Sequence, residues 1–156
     1  MVSLRSHHLV CMQSFIGKGY NIDFIDNFSK IMRFLTSNPD DDIIMVTNKC
    51  DDICKHCPNI MNNNKCKDEE YISQLDSVYY KVLNLSTVRY YSWNRIKYLV
   101  SMNLKSNTFK NTCNACQWFD ICSKKLAGAP GFEPGNDGAK DRCLTAWPCP
   151  NKSMLS

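Results

Sequence analysis

The chain has 156 residues, of which 44% are hydrophobic and 22% charged, and its formal net charge is +4. This composition is typical of a soluble globular protein with one domain. No apolar run approaches the roughly 18 residues that a membrane span needs, so we expect no membrane-spanning segment. Arg5, His7 and His8 stand where a signal peptide would carry its apolar core, and we therefore expect a cytoplasmic protein.

Regular structure is predicted along most of the first 124 residues. Apolar residues recur at three- and four-residue steps, which predicts helices over residues 21–35, 67–85, 93–104 and, more briefly, 114–122. The stretch "DIIMVTN" is short, apolar and partly β-branched, so it predicts a strand, and residues 2–5 offer a second strand to pair with it. In the second helix the predicted inward face consists of Ile72, Leu75, Val78, Tyr79 and Val82. The predicted fold class is mainly α, α+β at most, with one small helical domain and a minimal strand pair.

Residues 125–156 differ from the rest in composition. The segment is rich in Gly, Pro and Ala and lacks periodicity, so we predict a disordered tail after a cysteine-rich domain over residues 1–124. Within it, "GFEP" and "CLTAW" can be encoded by the complements of the T arm and the D arm of a transfer-RNA gene, in the order of the opposite strand. Our hypothesis is that the tail is translated from an antisense transfer-RNA gene, which would leave Cys143 and Cys149 without a designed role.

The ten cysteines are the strongest signal in the sequence. Cytosolic thiols stay reduced, so clustered cysteines are expected to bind metal rather than to form disulfides. Eight of them precede the tail: Cys11, Cys50, Cys54, Cys57, Cys66, Cys113, Cys116 and Cys122. Four thiolates complete either a tetrahedral zinc site or a four-iron cluster, so eight cysteines are enough for two sites.

The cysteines fall into two clusters along the chain. The first, "CDDICKHCPNIMNNNKC", can close a site by itself with Cys50, Cys54, Cys57 and Cys66. The second, "CNACQWFDIC", supplies only Cys113, Cys116 and Cys122, so its fourth ligand is expected from Cys11, or else from His7 or His8. Structural zinc sites usually contain two separate Cys-x-x-Cys pairs, whereas compact runs of three cysteines followed by proline are commoner in cluster binding. The spacing therefore favours one or two iron–sulfur clusters over zinc.

His7 and His8 are the candidates for a catalytic residue. Because they are adjacent, their side chains are expected to point in different directions, so that at most one faces a given site. A structural, hydrogen-bonded histidine is weighed equally against a ligand or a proton-transfer group.

Three blocks of the sequence carry a family resemblance: "LRSHHLVCMQSFIGKGY", "CDDICKHCP" and "CNACQWFDIC". They resemble, in this order, the blocks of a family of small uncharacterised archaeal and bacterial proteins that is associated with iron–sulfur binding. The resemblance covers roughly residues 3–122 and leaves the tail outside. It implies that Cys11 and the two histidines belong to the family signature, and it implies no particular reaction.

The stretch from Lys81 to Lys110 is basic. It contains no Asp or Glu, and aromatic residues are interleaved with its Lys and Arg side chains. Such a pattern can bind single-stranded nucleic acid or attract an acidic partner, although core aromatics and charges that offset anionic metal–thiolate sites explain it better. Nucleic acid is therefore a minor hypothesis beside a redox partner protein.

Taken together, the sequence predicts an iron–sulfur protein with a role in electron transfer or in structural support. The first alternative is an enzyme: if Cys11 is not a ligand, one iron stays open for sulfur-transfer chemistry, with His7, His8 or Cys11 as the acid–base or nucleophilic group. The second alternative is an interaction module stabilised by zinc.

Overall fold

Six helices surround a small three-stranded sheet in residues 1–127, the part of the chain that the computed structural model describes. In chain order the elements are β1 (Val2–Arg5), α1 (Ser6–Cys11), α2 (Ile22–Ser37), β2 (Ile44–Thr47), α3 (Glu69–Val82), β3 (Tyr90–Tyr91), α4 (Trp93–Asn103), α5 (Ser106–Cys113) and α6 (Phe119–Leu126). Two short 3-10 turns, Met12–Ser14 and Cys54–His56, lie between them. The predicted fold class, mainly α with a minor β component, is confirmed.

The sheet has the strand order β1-β2-β3. Strand β1 pairs with β2 in parallel, with Val2 opposite Ile44, and β2 pairs with β3 antiparallel. A parallel pair needs a long crossover, which α1 and α2 provide here. The predicted strand pair is therefore present, and the sheet contains in addition the two-residue strand β3, which no sequence pattern indicated.

Two of the predicted helices begin at a side chain that caps them. At α2, the Asn21 side chain accepts a hydrogen bond from the Phe24 N–H at 2.9 Å. At α4, the Ser92 side chain accepts one from the Arg95 N–H at 3.2 Å. These bonds satisfy backbone donors that have no partner within the first turn of a helix.

The helix predicted over residues 114–122 is wrong as a continuous element. Helix α5 ends at Cys113, α6 begins only at Phe119, and two successive turns lie between them. In these turns the Cys116 N–H donates to the Cys113 carbonyl and the Phe119 N–H to the Cys116 carbonyl, at 2.9 and 3.0 Å. The interruption bends the chain so that Cys116 lies at a corner between the two helices.

Helix α6 ends at Leu126, and the remainder of the 125–156 segment lies outside the described residues, together with Cys143 and Cys149. The predicted tail and its origin therefore stay predictions. None of the described helices is long and apolar enough to cross a membrane.

Candidate metal centre

A cavity of about 720 Å³ lies where α1, α3, the loop before α3 and the turns between α5 and α6 meet. Helix α1 packs against α3, and α6 packs against the 3-10 turn that follows α1, which brings the N-terminal residues beside the last described helix. Seven thiols border the cavity: Cys11, Cys54, Cys57, Cys66, Cys113, Cys116 and Cys122. The described part of the chain thus brings both cysteine clusters of the sequence to one place.

The first thiol group is Cys50, Cys54, Cys57 and Cys66. Burial raises the pKa of Cys54, Cys57 and Cys66, and in each case the charge of Cys50 raises it further. Cys66 acts on Cys57 in the same way. The mutual influence of these side chains shows that the four thiols are neighbours in space as well as in sequence.

The second thiol group is Cys11, Cys113, Cys116 and Cys122. The pKa of Cys11 is raised well above its ordinary value by burial and then by the charges of Cys122, Cys113 and Cys116. The structure thus brings Cys11 to the three cysteines of the C-terminal cluster, about a hundred residues away along the chain. A further contact at this group is the Tyr79 hydroxyl, which lies 2.8 Å from the Cys113 sulfur.

Tyr20 stands between the two groups. Its pKa is raised by burial, by Cys57 of the first group and by Cys116 and Cys11 of the second, while Trp118 lowers it. The rings of Tyr20 and Trp118 lie edge to face, with their centroids 5.5 Å apart. The two thiol groups are therefore neighbours across the cavity.

Both histidines border the cavity, and each is held by its own carboxylate. His7 Nδ1 lies 2.8 Å from an oxygen of Asp76, and His8 Nδ1 lies 2.6 Å from an oxygen of Asp51. A carboxylate can only accept, so we assign the Nδ1 proton to each ring. On a neutral ring this leaves the Nε2 lone pair free for another partner. Burial and the neighbouring charge of His8 lower the pKa of His7 to about 4, so His7 is neutral at pH 7.

Arg5 ties these carboxylates together from a fully buried position. Its Nε donates to Asp76 at 2.6 Å, its Nη2 to Glu69 at 2.8 Å, and its backbone N–H to Asp51 at 2.6 Å. Burial alone would lower the pKa of Arg5, but the bonds to Glu69 and Asp76 raise it above its ordinary value.

The same carboxylates hold the backbone of the first thiol group. Asp51 accepts a hydrogen bond from the Cys54 N–H, and Glu69 accepts one from the Cys66 N–H, both at 2.9 Å. The pKa of Asp51 lies well below its usual range, because the charge and the hydrogen bond of His8 outweigh the raising effect of burial. The cysteine loop is thus fixed to β1 through charged side chains.

Sequence reasoning missed this polar network. Arg5 was noted only as a charge near the N-terminus. One signal could have indicated Asp76: it lies three residues before Tyr79 and next to Leu75, on the face of α3 that the apolar pattern turns inward.

The spacing of the ligand atoms can be compared with what each metal requires. A single zinc ion with four thiolates at about 2.3 Å holds its sulfurs about 3.8 Å apart. Within residues 1–127, one group of possible ligand atoms lies within 4.8 Å of one another, and it consists of His8, Asp51 and Cys54. No three thiols in this part of the chain are that close. A four-iron cluster attaches each thiolate to a different iron and spreads the sulfurs further, so the two thiol groups fit a cluster better than a single ion.

Two hydroxyl groups at the cavity also fit a sulfur-rich occupant. The oxygens of Ser14 and Tyr71 are buried and make no hydrogen bond of good geometry among residues 1–127. Ser14 nevertheless lies close enough to Cys122 to lower its pKa against the raising effect of burial. Buried donors of this kind are normally satisfied, and the thiolate and sulfide atoms of a cluster would accept from them.

The basic side chains between Lys81 and Lys110 are largely exposed, but the aromatic residues among them are divided. Tyr91 and Trp93 are buried in the core, whereas Tyr90 and Tyr98 are exposed. The predicted assignment of these aromatics to the core is therefore half correct.

The fold and the site together define a small, mainly helical domain whose cavity is bordered by thiols and histidines. Residues 19–122 match the family described as "Protein of unknown function (DUF1284)", which is two thirds of the chain, and the protein belongs to this family. The matched residues include all of the site cysteines except Cys11. No curated protein and no solved structure matches the chain. The prediction of an uncharacterised family is confirmed, and the family description names no cofactor.

The neutral state of His7 makes stability depend on pH. In the unfolded chain a histidine has a pKa of about 6.5, whereas folded His7 takes up its proton only near pH 4. Between these values the unfolded state binds the extra proton, so stability should fall as the pH falls, by on the order of 2–3 kcal/mol. His8, Asp76 and Asp51 are the charged groups that face His7. Urea unfolding at pH 7 and at pH 4.5 measures the effect.

The matched variants are His7→Asn and His56→Asn. Asn keeps a donor for Asp76 but cannot be protonated, so His7→Asn should lose less stability than the parent between pH 7 and 4.5. His56 is exposed, and its replacement should leave the pH dependence unchanged. Equal pH dependence in the parent and in His7→Asn would contradict the neutral buried imidazole.

Proposed function

We propose that this protein binds four-iron iron–sulfur clusters, one at each thiol group, and serves in electron transfer or in structural support. The first cluster would be held by Cys50, Cys54, Cys57 and Cys66, and the second by Cys11, Cys113, Cys116 and Cys122. When bound, such clusters accept and release one electron at a time. A redox partner protein and a cytoplasmic location are part of the same proposal.

The observation that carries the proposal is the gathering of seven thiols from the two groups at one cavity. Among the described residues no three thiols lie within 4.8 Å of one another, whereas one zinc ion would hold its four sulfurs about 3.8 Å apart, and buried hydroxyls are available to donate to sulfur. Cys11 supports four-cysteine closure of the second group, because after burial the largest electrostatic effects on its pKa come from the other three thiols.

The first experiment is anaerobic purification, followed by an absorption spectrum and by iron, sulfide and zinc analysis. A brown protein with a broad band near ~400 nm and with iron equal to sulfide is the expected result. About eight irons per chain should fall to about four in Cys66→Ser and also in Cys116→Ser, since each variant removes a ligand from one group. A colourless protein with stoichiometric zinc and no sulfide would overturn the proposal in favour of the zinc-stabilised interaction module.

The enzyme alternative is favoured by one observation, the two imidazoles at the cavity. Each has its Nδ1 bound to a carboxylate, so Nε2 of His7 or His8 could accept a proton from a substrate at an iron that lacks a cysteine. Cys11→Ala separates the two functions. Loss of about half of the iron supports a second group closed by cysteine, whereas full iron content supports an open iron and sulfur-transfer chemistry.

A further inference from the structure

We infer that the residues around the two thiol groups give them unequal affinities for an electron, and that Tyr79 makes the second thiol group the easier one to reduce. The inference rests on the proposed clusters, and it assigns to this chain's own side chains the direction in which an electron moves between them.

The main contact is the one between the Tyr79 hydroxyl and the Cys113 sulfur, at 2.8 Å. A cysteine that binds iron is a thiolate and carries no proton, so the hydroxyl must donate. Tyr79 is 1% exposed, which keeps water from competing for the sulfur. A hydrogen bond to a ligand sulfur stabilises the negative charge that reduction adds, and it therefore raises the reduction potential.

Two further hydroxyls add donors to the same group. Ser14 lies beside Cys122, and the pKa of Tyr71 is raised by burial and then by Cys116, Cys113 and Cys11, which places it near the second group as well. Both oxygens are buried without a good partner among residues 1–127, so both are free to donate to sulfur. The second group thus has the Tyr79 hydroxyl at Cys113 and the Ser14 hydroxyl at Cys122, and the Tyr71 hydroxyl borders the same cavity.

The first thiol group has a different environment. Asp51 and Glu69 accept hydrogen bonds from its backbone. Asp68 adds a third carboxylate. Burial raises the pKa of Cys66 most, the backbone N–H of Asp68 lowers it, and the charge of the Asp68 carboxylate raises it again. Negative charges oppose the addition of an electron and lower the potential.

Opposing effects at the first group are smaller. Backbone N–H groups of Asn59 and Asp68 lower the pKa of Cys57 and Cys66, and as donors to sulfur they raise the potential. They carry partial charges, whereas the carboxylates carry full ones. At the second group, the carboxylate that acts on Cys11 is Asp76, which shares the Arg5 guanidinium with Glu69 of the first group, so the carboxylates that set the first group apart are Asp51 and Asp68. The balance leaves the second group with the higher potential.

The direction of transfer follows from this order. A one-electron donor of low potential, such as a reduced iron–sulfur or flavin protein, would supply the electron at either group, and at equilibrium the electron would rest on the second group. The first group would be oxidised by one electron as the second is reduced, since the two lie across one cavity.

The test is a redox titration of the anaerobically purified protein with dithionite, followed by electron paramagnetic resonance. Two midpoint potentials are expected. Tyr79→Phe should lower only the higher one, by a roughly tenfold change in the reduction equilibrium, which is about 59 mV for one electron. The neighbouring Tyr80, which does not border the cavity, provides the control, and Tyr80→Phe should shift neither signal. In Cys66→Ser, the signal that remains should be the one of higher potential.

The outcomes distinguish this inference from the proposed function. A protein without iron and sulfide would overturn the proposed function itself. If both clusters are present but Tyr79→Phe shifts neither potential, or shifts the lower one, only the inference is wrong. If Tyr79→Phe fails to fold, Ser14→Ala and Tyr71→Phe take its place, and they should lower the same higher potential by a smaller factor; no shift in either would likewise contradict the inference.

Discussion

Arg5→Met should unfold at a much lower urea concentration than the parent protein, with a loss of about 3–5 kcal/mol in the free energy of unfolding. The guanidinium is fully buried, and its ion pairs with Asp76 and Glu69 measure 2.6 and 2.8 Å. Methionine fills much of the same volume but leaves the buried Asp76 carboxylate without its cation. A small domain is stable by only about 5–15 kcal/mol, so a large part of its stability would be lost.

The controls separate charge pairing from the loss of an arginine in general. Arg33 is exposed on α2, and Arg33→Met should change the free energy of unfolding by no more than about 0.5 kcal/mol. Arg5→Lys should recover only part of the loss, because a single ammonium group cannot reproduce the forked contacts of a guanidinium with two carboxylates. An Arg5→Met protein within about 1 kcal/mol of the parent would show that the network contributes little to stability.

Asp51→Asn should reduce both stability and the loading of the first thiol group. Asp51 is 3% exposed and accepts three hydrogen bonds, from the backbone N–H groups of Arg5 and Cys54 and from His8. An amide carries one oxygen in place of two and turns two N–H donors toward groups that also donate. The expected loss is about 2–4 kcal/mol in urea unfolding. Because the Cys54 N–H would lose its anchor, we also expect iron to fall by about half, as for a broken cluster.

The comparison is made with Asp42→Asn, which lies at an exposed position just before β2. This variant should keep the parent's stability and iron content. If Asp51→Asn loses stability but keeps its full iron content, the carboxylate supports the fold without shaping the cysteine loop. If it loses neither, the hydrogen bonds of Asp51 contribute little to stability or to the iron content.

The sequence predicts best those elements whose signal is local. Helices α2 and α4 were correctly predicted because each has a cap and an apolar stripe of helical period within its own residues. Strand β3 is only two residues long and exists through its pairing with β2, so no local pattern could indicate it. The turns between α5 and α6 were missed because apolar residues recur there at a spacing that a helix would also produce. These residues are Cys113, Cys116, Trp118 and Phe119.

The candidate site shows the same difference between features with a local sequence signal and features that depend on distant residues. The cysteines of the first group could be assigned together from their spacing, since they are neighbours along the chain. The placement of Cys11 beside the second group was one of several open choices, and the contact of α6 with the turn after α1 decides it in the structure. The partners of Arg5 could not be predicted, because Asp76 lies 71 positions away and the two meet only when α1, which directly follows Arg5, packs against α3.

The position of the N-terminal segment has a consequence for the order in which the protein is built during translation. The first thiol group is complete once Cys66 has left the ribosome, and Glu69, which anchors its backbone, follows three residues later. The second group requires Cys11, which is synthesised before the other cysteines, to wait for Cys113, Cys116 and Cys122. Contacts of such long sequence separation form late, because the intervening chain must first be ordered. Under the proposed function, cluster assembly would therefore begin at the first group while residues of the second group are still being made.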